Sequence, residues 1–161
     1  MPAPPVVEGS GLPDGMALAS YGARAWAATI DFVVRLLILI VPAVSGAVMD
    51  AVVGTSDVFL VLGLVAGLVV AYLLYAPFLM ASNNGQTWGH RAAGIRVVRR
   101  SGAPLSFGKA FVREALVKGV LIEWLGGTIV VVPILNYLWP LWDARNEALH
   151  DKICETVVVE A

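Results

Sequence analysis

Long apolar runs separated by compact polar blocks dominate this chain. The first, from Ala25 to Met49, covers 25 residues, enough to cross about 30 Å of hydrocarbon at roughly 1.5 Å per residue. Its second half, from Leu36, is uncharged, whereas its first half carries Asp31 and Arg35. A polar turn holding Asp50, Gly54, Thr55, Ser56 and Asp57 leads into a second run, Val58 to Ala81, with 24 residues and no charge. The short link predicts an antiparallel helical hairpin of two full spans. A polar block from Ser82 to Glu114 follows, and then a run of 27 residues from Leu116 to Trp142. That last run is long for one span and short for two. Ser106 is a suitable N-cap for a helix reaching Leu125. A bend at Gly126-Gly127 would let Thr128 to Trp142 return as a shorter hairpin, with Trp139 and Trp142 in the interfacial aromatic belt. The competing arrangement is a single third span. Within the polar block, Ile95, Val97 and Val98 are β-branched and precede a Ser101-Gly102 turn signal; Thr156 to Val159 is a second β-branched run. Pairing the two predicts a small cytoplasmic β element. It also brings the C-terminus to the side of the polar block, which the hairpin requires. The expected fold class is therefore an all-α integral membrane protein, a small multi-pass helical bundle with two full spans plus a shorter helical hairpin or single third span.

Composition supports a lipid-facing surface. Of the 161 residues, 58% are hydrophobic and 14% charged, against about 25% charged in a soluble domain. The net charge of −1 gives no overall attraction to nucleic acid, and none is expected as a partner. Locally, Arg91, Arg96, Arg99, Arg100, Lys109 and Arg113 face a single acid, Glu114, in the polar block, while the 49–57 turn holds only Asp50 and Asp57. Basic short loops stay inside, so the block and the N-terminus are expected to be cytoplasmic. The acidic C-terminal segment argues the other way for its own sidedness, but acids weigh little in orientation. Residues 1–17, with Pro2, Pro4, Pro5 and Pro13 and no Lys or Arg, are expected to be a disordered tail and not a signal peptide. Cys154 is the sole cysteine, which excludes an internal disulfide and a multi-cysteine zinc site.

Candidate chemistry lies in the charges that enter the apolar runs. Asp31 sits about 10 Å beyond Arg24 along a helix. Arg24 and Arg35 stand seven residues before and four after it, on its own helical face. An intramembrane carboxylate is costly and usually paired, so Asp31 is either half of a structural ion pair, an ion- or proton-binding group, or a contact to a partner protein. Glu123 is a second intramembrane candidate or an interfacial acid. Arg91, Arg96, Arg99 and Arg100 are placed to meet anionic lipid headgroups. His150 and Asp151 are adjacent, and neighbours on a helix do not face each other; His90 stands alone beside Arg91. No nucleophile elbow, P-loop or His-x-x-x-His pattern occurs. Catalysis, a cofactor and a metal site are accordingly not expected.

Four ordered blocks resemble the RDD family of bacterial membrane proteins. Ala19-Ser-Tyr-Gly-Ala-Arg-Ala-Trp-Ala-Ala-Thr-Ile-Asp31 resembles its first helix, Gly85-Gln-Thr-Trp-Gly-His-Arg-Ala-Ala-Gly-Ile-Arg-Val-Val98 its central loop, and Pro104-Leu-Ser-Phe-Gly-Lys-Ala-Phe-Val-Arg-Glu114 its continuation. Asp143-Ala-Arg-Asn-Glu-Ala-Leu-His-Asp-Lys-Ile-Cys-Glu-Thr-Val-Val-Val159 resembles the closing segment. The resemblance implies an RDD-type transmembrane domain over 18–159, with Arg24, Asp31 and Asp151 as its signature residues and Asp143 the lesser claimant for the last. His90 departs from the Lys common in the family, and the segment after Asp143 is less basic than usual. The resemblance implies a bacterial plasma membrane location and ion or small-solute transport of the cation/proton exchange type, alone or as a subunit. The alternative is a non-catalytic accessory or scaffold subunit of a larger membrane complex. Membrane lipids, and either like copies or such a complex, are the expected partners. The Gly63-Leu-Val-Ala-Gly67 pattern would let helices approach closely in either case. Placement also allows Arg24 and Asp151 to meet at one membrane face.

Overall fold

The computed structural model describes residues 16–125 and 129–161. The expected bend at Gly126-Gly127, and the tail up to residue 15, lie outside the described residues. Helix α1 (Tyr21–Val53) is capped by Ser20, whose hydroxyl accepts from Ala23 N at 3.2 Å, and ends at Gly54 in the left-handed conformation. It extends past the apolar run at both ends and so takes in Asp50. Helix α2 (Val58–Ser82) returns, and the Asp50 carboxylate explains how it starts. The carboxylate accepts from Phe59 N at 3.1 Å, Leu60 N at 2.8 Å and the Thr55 hydroxyl at 2.6 Å. These are the donors that a helix N-terminus leaves unpaired. Asp57, at the position where a capping side chain would sit, makes no such bond.

Small residues set the distance between α1 and α2. A Cβ on Gly63 would lie 2.3 Å from the Pro42 carbonyl oxygen, and one on Gly46 2.1 Å from that of Phe59. The Gly63/Gly67 pattern is thus used within the chain, not held open for a partner. The outer faces are bare: in the most apolar stretches of α1 and α2 only 11% and 17% of residues are buried inside the molecule. A soluble core helix would be mostly covered. These faces require lipid, and the chain is a membrane protein.

Helix α2 widens to π-helical hydrogen bonding over Val69–Leu74, immediately before Tyr75. The short helix α3 (Trp88–Ala92) follows, capped by Thr87. Strand β1 (Ile95–Arg99) then pairs antiparallel with β2 (Thr156–Glu160), with Val97 opposite Val158. Leu18 bridges to Val159, and Ala19 N donates to the Val158 carbonyl at 3.0 Å. The start of α1, the end of α2, the polar block and the C-terminal strand therefore share one end of the bundle, which is the hairpin arrangement and not a single third span. Helix α4 (107–125) is capped by Ser106 and becomes π-helical over Val112–Leu125. Helix α5 (Val131–Leu141) rises only about 16 Å at 1.5 Å per residue, about half a bilayer core. Helix α6 (Leu149–Ile153) leads into β2. The domain takes in two residues assigned above to the tail: Met16 packs on Val98, Val157 and Val159, and the Ala17 carbonyl accepts from Glu160 N at 2.9 Å.

Candidate functional site

Asp31 projects from α1 towards α2 and α3, and it is 6% exposed. One carboxylate oxygen accepts from the Tyr75 hydroxyl at 2.8 Å and from Gly89 N at 2.9 Å. The other accepts from the Thr87 hydroxyl at 2.6 Å and lies 3.6 Å from His90 Nδ1. Thr87 also contacts the His90 ring. Every hydrogen bond to this acid thus comes from a neutral donor, and its sole ionic neighbour among the described residues is a histidine. This corrects the expected pairing with Arg24 or Arg35. The helical face is as anticipated, but the long guanidinium arms reach other carboxylates. Gly89 permits the approach: a Cβ there would meet the Ala27 carbonyl oxygen at 2.2 Å and the Asp31 carboxyl carbon at 2.8 Å.

A second cluster centres on Arg113 of α4, which is 2% exposed. Arg113 contacts Asp151 and Glu114 as ion pairs, and its Nε donates to the Thr156 hydroxyl at 3.1 Å. Arg24 makes the other ion pair to Asp151, as the placement of both at one face anticipated. Asp151 further accepts from Ala148 N at 3.1 Å. Glu114 is shared in turn with Arg35 at 3.4 Å and Lys118 at 3.7 Å. Burial alone would raise the Asp151 carboxyl, but the Arg24 and Arg113 guanidiniums outweigh it and hold the group well below the usual carboxylate range. Burial pushes the neighbouring His150 imidazole down to about 3, with Arg113 and Lys118 acting in the same sense against Asp151. His150 is therefore neutral near pH 7, and its Nδ1 lies 2.9 Å from the Asn136 side-chain oxygen. His150 and Asp151 do approach, at 3.5 Å, because the short helix α6 is packed on Arg113, which draws both.

Both clusters border one cavity of 540 Å³, whose wall includes Arg24, Asp31, Arg35, His90, Arg113, Glu114, Lys118 and Glu123. Glu123 accepts from the Tyr137 hydroxyl at 2.5 Å. The basic block does not act as one patch. Arg91 is exposed, Arg96 and Arg99 lie on β1, and Arg100 makes a two-pronged pair with Glu147 at 2.7 and 3.2 Å. Glu147 and Asp151 also explain the acidic C-terminal segment, since its charges neutralise Arg100, Arg24 and Arg113. Sequence reasoning missed Tyr75, Thr87, Gly89, Arg113, Glu114 and Asn136. One available signal was Thr87 followed three residues later by His90, a capped helix start beside an otherwise unpartnered acid.

The fold and site define a small multi-pass helical membrane protein that gathers its charged side chains around a cavity at one end of the bundle. The RDD family model matches residues 18–155, and the chain belongs to the RDD family. Among curated proteins it is 32% identical over 91 residues to the Proline-rich antigen homolog of Mycobacterium tuberculosis, in strains CDC 1551 / Oshkosh and ATCC 25618 / H37Rv. The match covers 56% of this chain and 34% of each relative, so the chain spans about a third of the length of these relatives. No solved structure matches it.

Proposed function

We propose that this protein is a non-catalytic, proton-linked transport unit for an ion or small solute in a bacterial plasma membrane, as a homo-oligomer or as a subunit of a larger system. One observation carries the reading: Asp31, buried in the membrane domain on the wall of a 540 Å³ cavity, is held by neutral donors, with the His90 ring at 3.6 Å. Intramembrane acids facing a cavity characteristically mark ion or proton paths. Protonating this carboxylate weakens four contacts at once and loosens α3 from α1, which links a proton to a movement. The positive-inside rule places the N-terminus and the 82–115 segment in the cytoplasm, with Arg91, Arg96 and Arg99 near anionic headgroups.

The test is proton flux in proteoliposomes carrying an imposed pH gradient and a pH-sensitive dye, with sodium or potassium added outside. The wild-type protein is expected to discharge the gradient, and Asp31→Asn to fail while remaining folded. Wild-type flux no faster than in protein-free vesicles refutes the reading. The alternative, a scaffold subunit, draws on the small size and bare apolar flanks of the chain. A stoichiometric foreign protein retained in native mass measurements, together with absent flux, would favour it. Its small-residue argument is weakened by the use of Gly46 and Gly63 between α1 and α2.

A further inference from the structure

Four cations on the cavity wall, Arg24, Arg35, Arg113 and Lys118, share two carboxylates within ion-pair distance among the described residues, Glu114 and Asp151. At contact range four cations thus meet two carboxylates, while Asp31 and Glu123, also on the wall, balance the formal count at longer range. The other acids on the wall are turned elsewhere: Asp31 towards Tyr75, Thr87, Gly89 and His90, and Glu123 towards Tyr137. Independently, Nη1 of Arg24 and Nε of Arg35 are buried without a hydrogen-bond partner among the described residues. A buried donor left unpaired costs about 1–3 kcal/mol, and more when charged. Water in a polar cavity satisfies these two N–H groups only through neutral hydrogen bonds. An oxyanion satisfies both, and guanidinium forks match carboxylate and phosphate geometry.

We propose that the cavity binds an oxyanion, a carboxylate or phosphate group, through Arg24 and Arg35. Phe32, Leu36 and Leu39 also line the cavity, so the group can carry an apolar remainder. It arrives either on a free solute or on an anionic lipid headgroup. This goes beyond the transport reading and stands or falls separately from it, because its measurement is binding and not flux.

The full chain, purified in detergent, is titrated with sodium phosphate or sodium succinate at ionic strength held constant with sodium chloride, and its thermal midpoint is followed. In parallel, native mass spectrometry reads retention of added phosphatidylglycerol. A rise in midpoint identifies a free solute, and retained lipid identifies a headgroup; either is the expected result. Arg35→Lys keeps a charge for Glu114 but loses the guanidinium Nε. It should raise the half-saturating concentration at least tenfold, or release the lipid. Arg24→Lys carries the same expectation should the first variant not fold. Lys109→Gln, exposed and off the wall, should leave binding unchanged. No wild-type response to any of the three probes overturns the proposal. So does an undiminished response in the folded lysine variant, or an equal loss in Lys109→Gln.

Discussion

Asp151→Asn should be among the most damaging single changes in this protein. The wild-type carboxylate is fully buried and neutralises two cations, Arg24 and Arg113. An amide in its place still accepts from Ala148 N, so the start of α6 keeps its bond. The two guanidiniums, however, lose the carboxylate they share, which leaves Arg24 without an ion-pair partner among the described residues and Arg113 with Glu114 alone. Breaking a buried pair costs about 3–5 kcal/mol. At roughly 2–4 °C per kcal/mol for a domain of this size, the thermal midpoint should fall by about 10 °C. Tryptophan fluorescence of the detergent-purified chain is a suitable readout. Arg24→Gln should cost less, because Asp151 retains Arg113. Its coupling to Asp151→Asn in a double-mutant cycle should be of order 0.5–3 kcal/mol. A charge swap, Arg24→Asp with Asp151→Arg, should fail to restore stability: the new cation at 151 would face Arg113, and the new acid at 24, on a shorter side chain, would not lie between the two guanidiniums as the Asp151 carboxylate does. Recovery of more than half the loss by the swap would refute the Arg113-centred arrangement. An unchanged midpoint in Asp151→Asn would refute the buried network itself.

Asp31→Ala should destabilise more than Asp31→Asn, because alanine strands the Tyr75, Thr87 and Gly89 donors at about 1–3 kcal/mol each, while the amide keeps one acceptor; equal midpoints would count against the cluster. Gly63→Val should cost roughly 1–3 kcal/mol or more by forcing a side chain against the Pro42 carbonyl, read as a lower midpoint and a protease-sensitive α1–α2 hairpin. For pH, His150 has its folded value pushed down to about 3 from 6.5, so the unfolded chain binds the extra proton and stability declines as pH falls below about 6.5. His150→Gln should flatten that decline between pH 6.5 and 5, and an unaltered slope would exclude His150 as its source. Cysteines at Ser56 and Ser101 should label from opposite sides of intact cells, and outside labelling of Ser101→Cys by an impermeant reagent would overturn the proposed sidedness.

Elements were more legible in the sequence than contacts were. Apolar run length is enough to find α1 and α2, since lipid imposes the length directly. The β1–β2 pair was legible because β-branched residues are sparse between spans and two short runs have little else to pair with. The cap at Ser106 was readable for its local chemistry. Asp50 was not, because its role depends on α1 running on past Met49 so that the acid reaches the start of the next helix. The cavity was the least accessible of all. Arg113 and Glu114 sit in a π-helical stretch, where α-helical spacing no longer says which residues share a face. Both had been counted among the charges of a polar block. Their partners stand 38 and 79 positions away, on α6 and α1.

The three charges in the first half of α1 show why spacing on one helix is a poor guide to ion pairing in a packed membrane domain. Arg24, Asp31 and Arg35 occupy one face, and an isolated helix would pair them. Within the bundle that face meets three segments. Arg24 reaches α6, Arg35 reaches α4, and Asp31, with its short side chain, is left for whatever packs directly against it. That neighbour has to be a backbone able to come very close and to present donors. Gly89, admitted by its missing side chain, and Thr87 at the start of α3 meet both conditions. The Arg pairs therefore secure the two ends of the face with permanent charges. The middle is closed by an acid whose contacts depend on its proton. On the proposed transport reading, a segment fastened to α1 through such a contact moves when the acid is protonated while the ends of the helix stay fixed. A glycine-to-alanine change at 89 should separate these roles, since it drives α3 away from Asp31 without touching either Arg pair. The expected result is retained assembly of α4 and α6 on α1, seen as protected Cys154, with greater exposure of His90 to an impermeant imidazole reagent. Unchanged His90 reactivity would mean that α3 is not held by Asp31.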